Sequence, residues 1–107
     1  MRQWDIFLFP FTGERPHPVV VLSVDERAAA RKTVNGLLCV SLRGRPLALH
    51  EVLLDQADGV DWETAVRCDL VHLLERERFL ERRGRVTSER QIQISRKLIE
   101  CFRLRTY

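Results

Sequence analysis

The run Pro18-Val19-Val20-Val21-Leu22-Ser23 limits what this chain can fold into more than any other stretch of it. Three successive β-branched side chains are stiff at χ1 and sit poorly in a helix, whereas a pleated strand accommodates them. A short, unbroken apolar run of this kind reads as a strand with neither face in water. Similar runs recur at residues 6–9, 37–40, 48–54 and 65–74. Pro10 stops the first. Turn-forming residues separate the others: Thr12-Gly13-Glu14-Arg15-Pro16, Arg43-Gly44-Arg45-Pro46, Asp58-Gly59 and Arg82-Arg83-Gly84.

Two segments read as helix. Residues 25–32 hold Glu26, Arg27 and three alanines, enough for one or two turns before Asn35-Gly36 ends them. Ser88 followed by Gln91 has the spacing of a capping box, in which each side chain satisfies an orphan backbone donor. Ile94, Leu98, Cys101 and Phe102 then form one apolar stripe at helical spacing. With Arg85-Val86-Thr87 as a short closing strand, the chain reads as five to six strands and a terminal helix. The loops are too short for crossover helices, so the expected fold is mainly β (α+β), a small antiparallel barrel or strongly curved sheet. With 107 residues, 45% hydrophobic and 31% charged, the chain suits one packed domain over residues 1–107 and no disordered one.

Composition excludes more than it selects. A formal charge of +3 permits an anionic partner without requiring one. Cys39, Cys68 and Cys101 lie far apart inside apolar runs. Their odd number and lack of Cys-x-x-Cys spacing predict buried free thiols in a reducing cytosol, with no disulfide framework and no zinc site. The apolar stretch at residues 6–11 is too short for a signal core or a membrane span. The expectation is a cytoplasmic protein without metal, cofactor or membrane attachment.

Chemistry concentrates in Val66-Arg67-Cys68-Asp69-Leu70. On a strand, alternate residues share a face, so Arg67 and Asp69 project together while Val66, Cys68 and Leu70 point to the core. A carboxylate can take a ribose 2′-hydroxyl proton, and a guanidinium can stabilise charge on phosphoryl oxygens. The pair therefore suits phosphodiester cleavage by internal transesterification. A plain ion pair is the alternative. The remaining candidates carry weaker signals. His72 reads as a half-buried, hydrogen-bonded residue, and His50 as mid-strand beside Glu51 with no partner motif. Trp4 and Trp62 read as core or dimer contacts, and residues 75–83 as a solvated surface segment. Arg43 and Arg45 flank Gly44 in a loop that could meet phosphates.

Several of these segments together resemble the PemK/MazF toxins over nearly the whole chain. Asp5-Ile6-Phe7-Leu8 resembles the family's first strand, and Pro18-Val19-Val20-Val21-Leu22-Ser23 its second. Leu38-Cys39-Val40-Ser41 resembles the third. Asp58-Gly59-Val60 with Val66-Arg67-Cys68-Asp69 is similar to a further segment, and Gly84-Arg85-Val86 fits the turn before the last helix. The resemblance implies an SH3-like barrel, a homodimer, a cognate antitoxin, and metal-independent cleavage of single-stranded RNA to a 2′,3′-cyclic phosphate and a 5′-hydroxyl. It carries the roles of general base and general acid to Asp69 and Arg67. Where the family has a phosphate-contacting arginine, this chain has His17, with Arg15-Pro16 two residues earlier. His17 is thus expected to protonate the leaving 5′-oxygen or to bind the phosphate as imidazolium, with Arg15 supplying permanent charge. Ser41 or Arg43 stands at the family's substrate-touching hydroxyl. CcdB shares this fold but binds gyrase, so a non-catalytic toxin or a degenerate binding module is the alternative.

Overall fold

The computed structural model describes residues 1–13 and 15–106; Glu14, within the connection read as a tight turn, and Tyr107 lie outside the described residues. The elements run β1 (Asp5–Phe9), β2 (His17–Val21), α1 (Asp25–Ala30), β3 (Thr33–Ser41), β4 (Glu51–Leu54), β5 (Thr64–Arg67), β6 (His72–Glu75), β7 (Arg82–Arg85) and α2 (Ser88–Phe102). All pairings are antiparallel, in the order β4-β5-β3-β2-β1-β7, with β6 also paired to β3. The sheet curls into a half-barrel, and α2 packs against it.

The valine run does what its composition demands. Val20 enters the main core with Ile6, Leu37, Cys39, Val66 and Ile94. Val19 packs on the opposite face with Phe9 and Leu74, and Val21 with Ala28 and Val34. All three valines are fully buried, and each such burial stabilises the fold by roughly 1.5–3 kcal/mol.

Seven strands form where five to six were expected, because residues 65–74 make two strands and not one. β6 and β5 pair successively along the same edge of the nine-residue β3, at Thr33–Gly36 and Cys39–Ser41 respectively. Between them the chain bends. Cys68 still points into the core, but Leu70 is half exposed, so the expected alternation fails there. A straight strand this long could not follow the coil of β3.

Asn35-Gly36 lies inside β3 and is no turn. A Cβ on Gly36 would come 2.5 Å from Val19 Cγ1, so this glycine permits close packing of β2 on β3. Arg82-Arg83-Gly84 likewise belongs to a strand, β7, which pairs with β1. A Cβ on Gly84 would collide with the Asp58 carbonyl oxygen and meet Gly59 Cα at 2.8 Å. The Ser88/Gln91 box does not form. Thr87 is the N-cap, its N–H donates to Asp58 Oδ1 at 2.9 Å, and Gln91 Nε2 donates to the Val86 carbonyl. The capping box in this chain joins Asp55 and Asp58 before the left-handed Gly59. Of the expected helix stripe, Ile94, Leu98 and Cys101 reach the core, whereas Phe102 stays half exposed at the helix end.

Candidate functional site

One end of the sheet opens into a groove of about 530 Å³. The β1–β2 connection brings Arg15 to it, the start of β2 brings His17, the end of β3 brings Ser41, and the following loop brings Arg43. Arg43 and Gly44 both adopt positive φ, 50° and 82°, which turns this loop tightly after β3. Trp62 completes the wall. It is 62% exposed, not a core contact, and its indole Nε1 donates to Ser41 Oγ at 2.7 Å. Arg83 also lines the groove, held by Asp61 at 2.6 Å. Among the described residues Arg15 and Arg43 have no hydrogen-bond or ion-pair partner, so their charges are available to an anion. His17 stacks edge-on to Phe11, with ring centroids 6.2 Å apart.

Arg67 and Asp69 do project together, with Arg67 Nη2 3.5 Å from Asp69 Oδ2, but they do not line the groove. Their companion is His50, whose Nε2 lies 3.6 Å from the same carboxylate oxygen. His50 therefore has a partner that its sequence neighbours did not disclose. Arg45, expected to face phosphates, instead forks onto Glu51 at 2.8 and 3.0 Å. The Glu51 side chain is nearly inaccessible, and Ala48 N–H donates to it as well. The Arg45 hydrogen bonds, against the opposing effect of burial, hold the Glu51 carboxyl down at about 2. This clasp closes the loop of residues 43–50 onto β4.

Val66 and Val20 point into the main core, so by alternation Arg67 on β5 and His17 on β2 point to the other side of the sheet, whereas Ser41, in step with Leu37 and Cys39 on β3, points to the core side. Val40 pairs with Ala65 and Val19 with Leu38. Continuing that register sets His17 two strand spacings across and two residues along from Arg67, roughly 12 Å between Cα atoms.

Burial pushes the Cys68 thiol up to about 12 and also raises Cys39 and Cys101. These thiols stay protonated near neutrality and are poor nucleophiles. His72 is half-buried beside Phe11, and its Nε2 has no hydrogen-bond partner among the described residues. Among the described residues no three His, Cys, Asp or Glu side chains converge as a metal site, and no helix is long and apolar enough to cross a membrane.

A family model for PemK-like, MazF-like toxins of type II toxin-antitoxin systems matches residues 2–102. The chain belongs to that family. Its curled sheet and C-terminal helix are the PemK/MazF fold. The Mycobacterium tuberculosis toxin MazF-mt6 superposes with a TM-score of 0.83 at 15% identity, covering 95% of this chain and 99% of that one. An endoribonuclease from a mycobacterial species, solved in complex with its cognate antitoxin, gives 0.80 at 15% identity, covering 100% and 97%. A MazE–MazF structure from Deinococcus radiodurans gives 0.80 at 19% identity, covering 98% and 97%. No curated protein matches the chain by sequence.

For a PemK/MazF toxin, the fold brings Arg15, His17, Ser41 and Arg43 into one groove and leaves Arg67, Asp69 and Arg45 in a neighbouring cluster. Sequence reasoning missed His50, Trp62 and Arg83. None of the three had a local sequence signal; His50 reaches Asp69 because the next residue, Glu51, pairs across the sheet with Arg67.

Proposed function

We propose that this toxin is a metal-independent endoribonuclease that cuts single-stranded RNA. A ribose 2′-hydroxyl attacks the adjacent phosphorus and leaves a 2′,3′-cyclic phosphate and a 5′-hydroxyl. The observation that carries this reading is the solvent-accessible Arg67–Asp69 pair, with Arg67 on the same sheet face as His17 of the cationic groove. Asp69 is the base for the 2′-hydroxyl proton, and the Arg67 guanidinium meets charge developing on the phosphoryl oxygens. These side chains supply the base and the charge themselves, so the chemistry needs no ion to supply either. In the groove, Arg15, Arg43 and protonated His17 hold phosphates flanking the scissile one. For His17, phosphate binding suits a position roughly 12 Å from Arg67 between Cα atoms. Trp62, braced by Ser41, offers a face on which an unpaired base can stack. Arg45, its charge met by Glu51, holds the loop and is not a phosphate contact.

A cognate antitoxin and a second copy of the chain complete the reading. The antitoxin complexes among the structural relatives support the first. Leu47 and Leu49, half and fully exposed beside the site, give pairing an apolar surface to cover. Incubating the purified protein with mixed-sequence single-stranded RNA in EDTA tests the activity. Cleavage with cyclic-phosphate and 5′-hydroxyl ends is the expected result. RNA binding without cleavage would identify a toxin that acts by target binding alone, and sedimentation as a monomer at micromolar concentration would refute the pairing.

A further inference from the structure

The Arg67–Asp69 pair leaves this reaction one proton short. As O2′ attacks phosphorus, Asp69 takes its proton. The P–O5′ bond then breaks with its electron pair going to O5′, and that alkoxide departs readily only if it is protonated. A guanidinium gives up no proton near neutrality, so Arg67 can balance phosphoryl charge but cannot serve as donor. An imidazolium can.

We infer that His50 is the general acid, an assignment that rests on the ribonuclease reading above. Its Nε2 lies 3.6 Å from Asp69 Oδ2, the oxygen that Arg67 Nη2 approaches to 3.5 Å. The His50 and Asp69 side chains are 35% and 37% exposed, open enough for a substrate to enter between them. The backbone fixes their relation. His50 immediately precedes β4, the Cys68 N–H donates to the His50 carbonyl at 3.1 Å, and Glu51 pairs with Arg67 in the next register position. An in-line displacement has its attacking and leaving oxygens flanking phosphorus, roughly two P–O bonds apart. A base and an acid at this separation can meet both oxygens at once.

The protons balance. Asp69 gains the 2′-hydroxyl proton, and His50 gives its Nε2 proton to O5′. Transfer from protonated Asp69 to neutral His50 across the short Oδ2–Nε2 gap then restores carboxylate and imidazolium. Charged groups surround His50 on several sides. Asp69 faces it directly, and Arg67 lies beyond. The adjacent Glu51 carboxylate is engaged by Arg45 and Ala48 N–H. From α2, Cys101 lies close enough to Asp69 to feel its charge, along with the charges of Lys97 and Glu100.

The test compares two RNA oligonucleotides bearing the mapped cleavage site, one natural and one with sulfur replacing the bridging 5′-oxygen. A thiolate leaves without protonation. His50→Gln is expected to cut natural RNA about 10²–10⁴-fold more slowly than the parent but the sulfur RNA within about threefold of it. That second rate also reports that the variant is folded. Asp69→Asn should be slow on both. The parent's loss of rate on the alkaline side should disappear with the sulfur RNA. Parental rates for His50→Gln on natural RNA, or an equal loss on both substrates by a variant that retains the parent's circular dichroism, would overturn the assignment while leaving the ribonuclease intact. A parent that cuts neither RNA would overturn both.

Discussion

Replacing Glu51 by glutamine isolates the clasp that holds the loop of residues 43–50 and, at its end, His50. The change keeps the shape and removes the charge that Arg45 meets with two hydrogen bonds. A carboxyl lowered from 4.5 to about 2 corresponds, at about 1.4 kcal/mol per unit, to roughly 3 kcal/mol. Arg45 is 42% exposed, so water weakens the pair, and roughly 1–2 kcal/mol is the expected loss at pH 7. Because the folded-state value is depressed, this stability is complete above the unfolded value near 4.5. It is lost as pH falls through that value toward about 2. Urea denaturation of parent and Glu51→Gln at pH 7 and near pH 3 measures it. The stability difference should shrink to less than half at the lower pH. A difference that is the same at both would refute the argument, because glutamine's cost would then be one of packing and not of charge.

Asp69→Asn and Arg67→Ala should each slow RNA cleavage about 10²–10⁴-fold, and the double variant should lose far less than the product, since both act on one transition state. Additive losses would separate their roles. Trp62→Ala and His17→Ala should raise KM more than they lower kcat, as groups that hold RNA away from the reacting phosphate; steady-state kinetics on one oligonucleotide decides. Gly84→Ala should destabilise the fold by about 2–4 kcal/mol, because its Cβ would meet backbone atoms of Asp58 and Gly59 that cannot yield. Unaltered urea unfolding would contradict the close approach of β7 to that turn.

Local chemistry was enough for much of the molecule. Stiff valines announced β2, Pro10 ended β1, and Asp58-Gly59 marked a turn whose capping box and positive φ were then found. The Arg67–Asp69 pair was legible because only one residue separates its members, although β5 ends at Arg67 and Asp69 lies in the bend beyond it, not on the strand as expected. Where parity met a bend it failed, as at Leu70. Glycine misled twice. Asn35-Gly36 and Arg82-Arg83-Gly84 look like turns locally, but each glycine lies in a strand because a neighbour comes too near for a Cβ.

What remained hidden depends on contacts between distant segments. His50 reaches Asp69, and Arg45 is drawn to Glu51, only because β4 lies beside β5 in one register. Trp62 joins Arg15, His17 and Arg43 at a groove only because β2 begins beside the end of β3 there. The sequence by itself determined which residues could serve as base, cation or aromatic platform, and which runs had to be strands, because those are properties of single side chains and short periodicities. The tertiary structure alone decided which of them meet, since strand order and sheet curl are set by burying all the apolar faces at once.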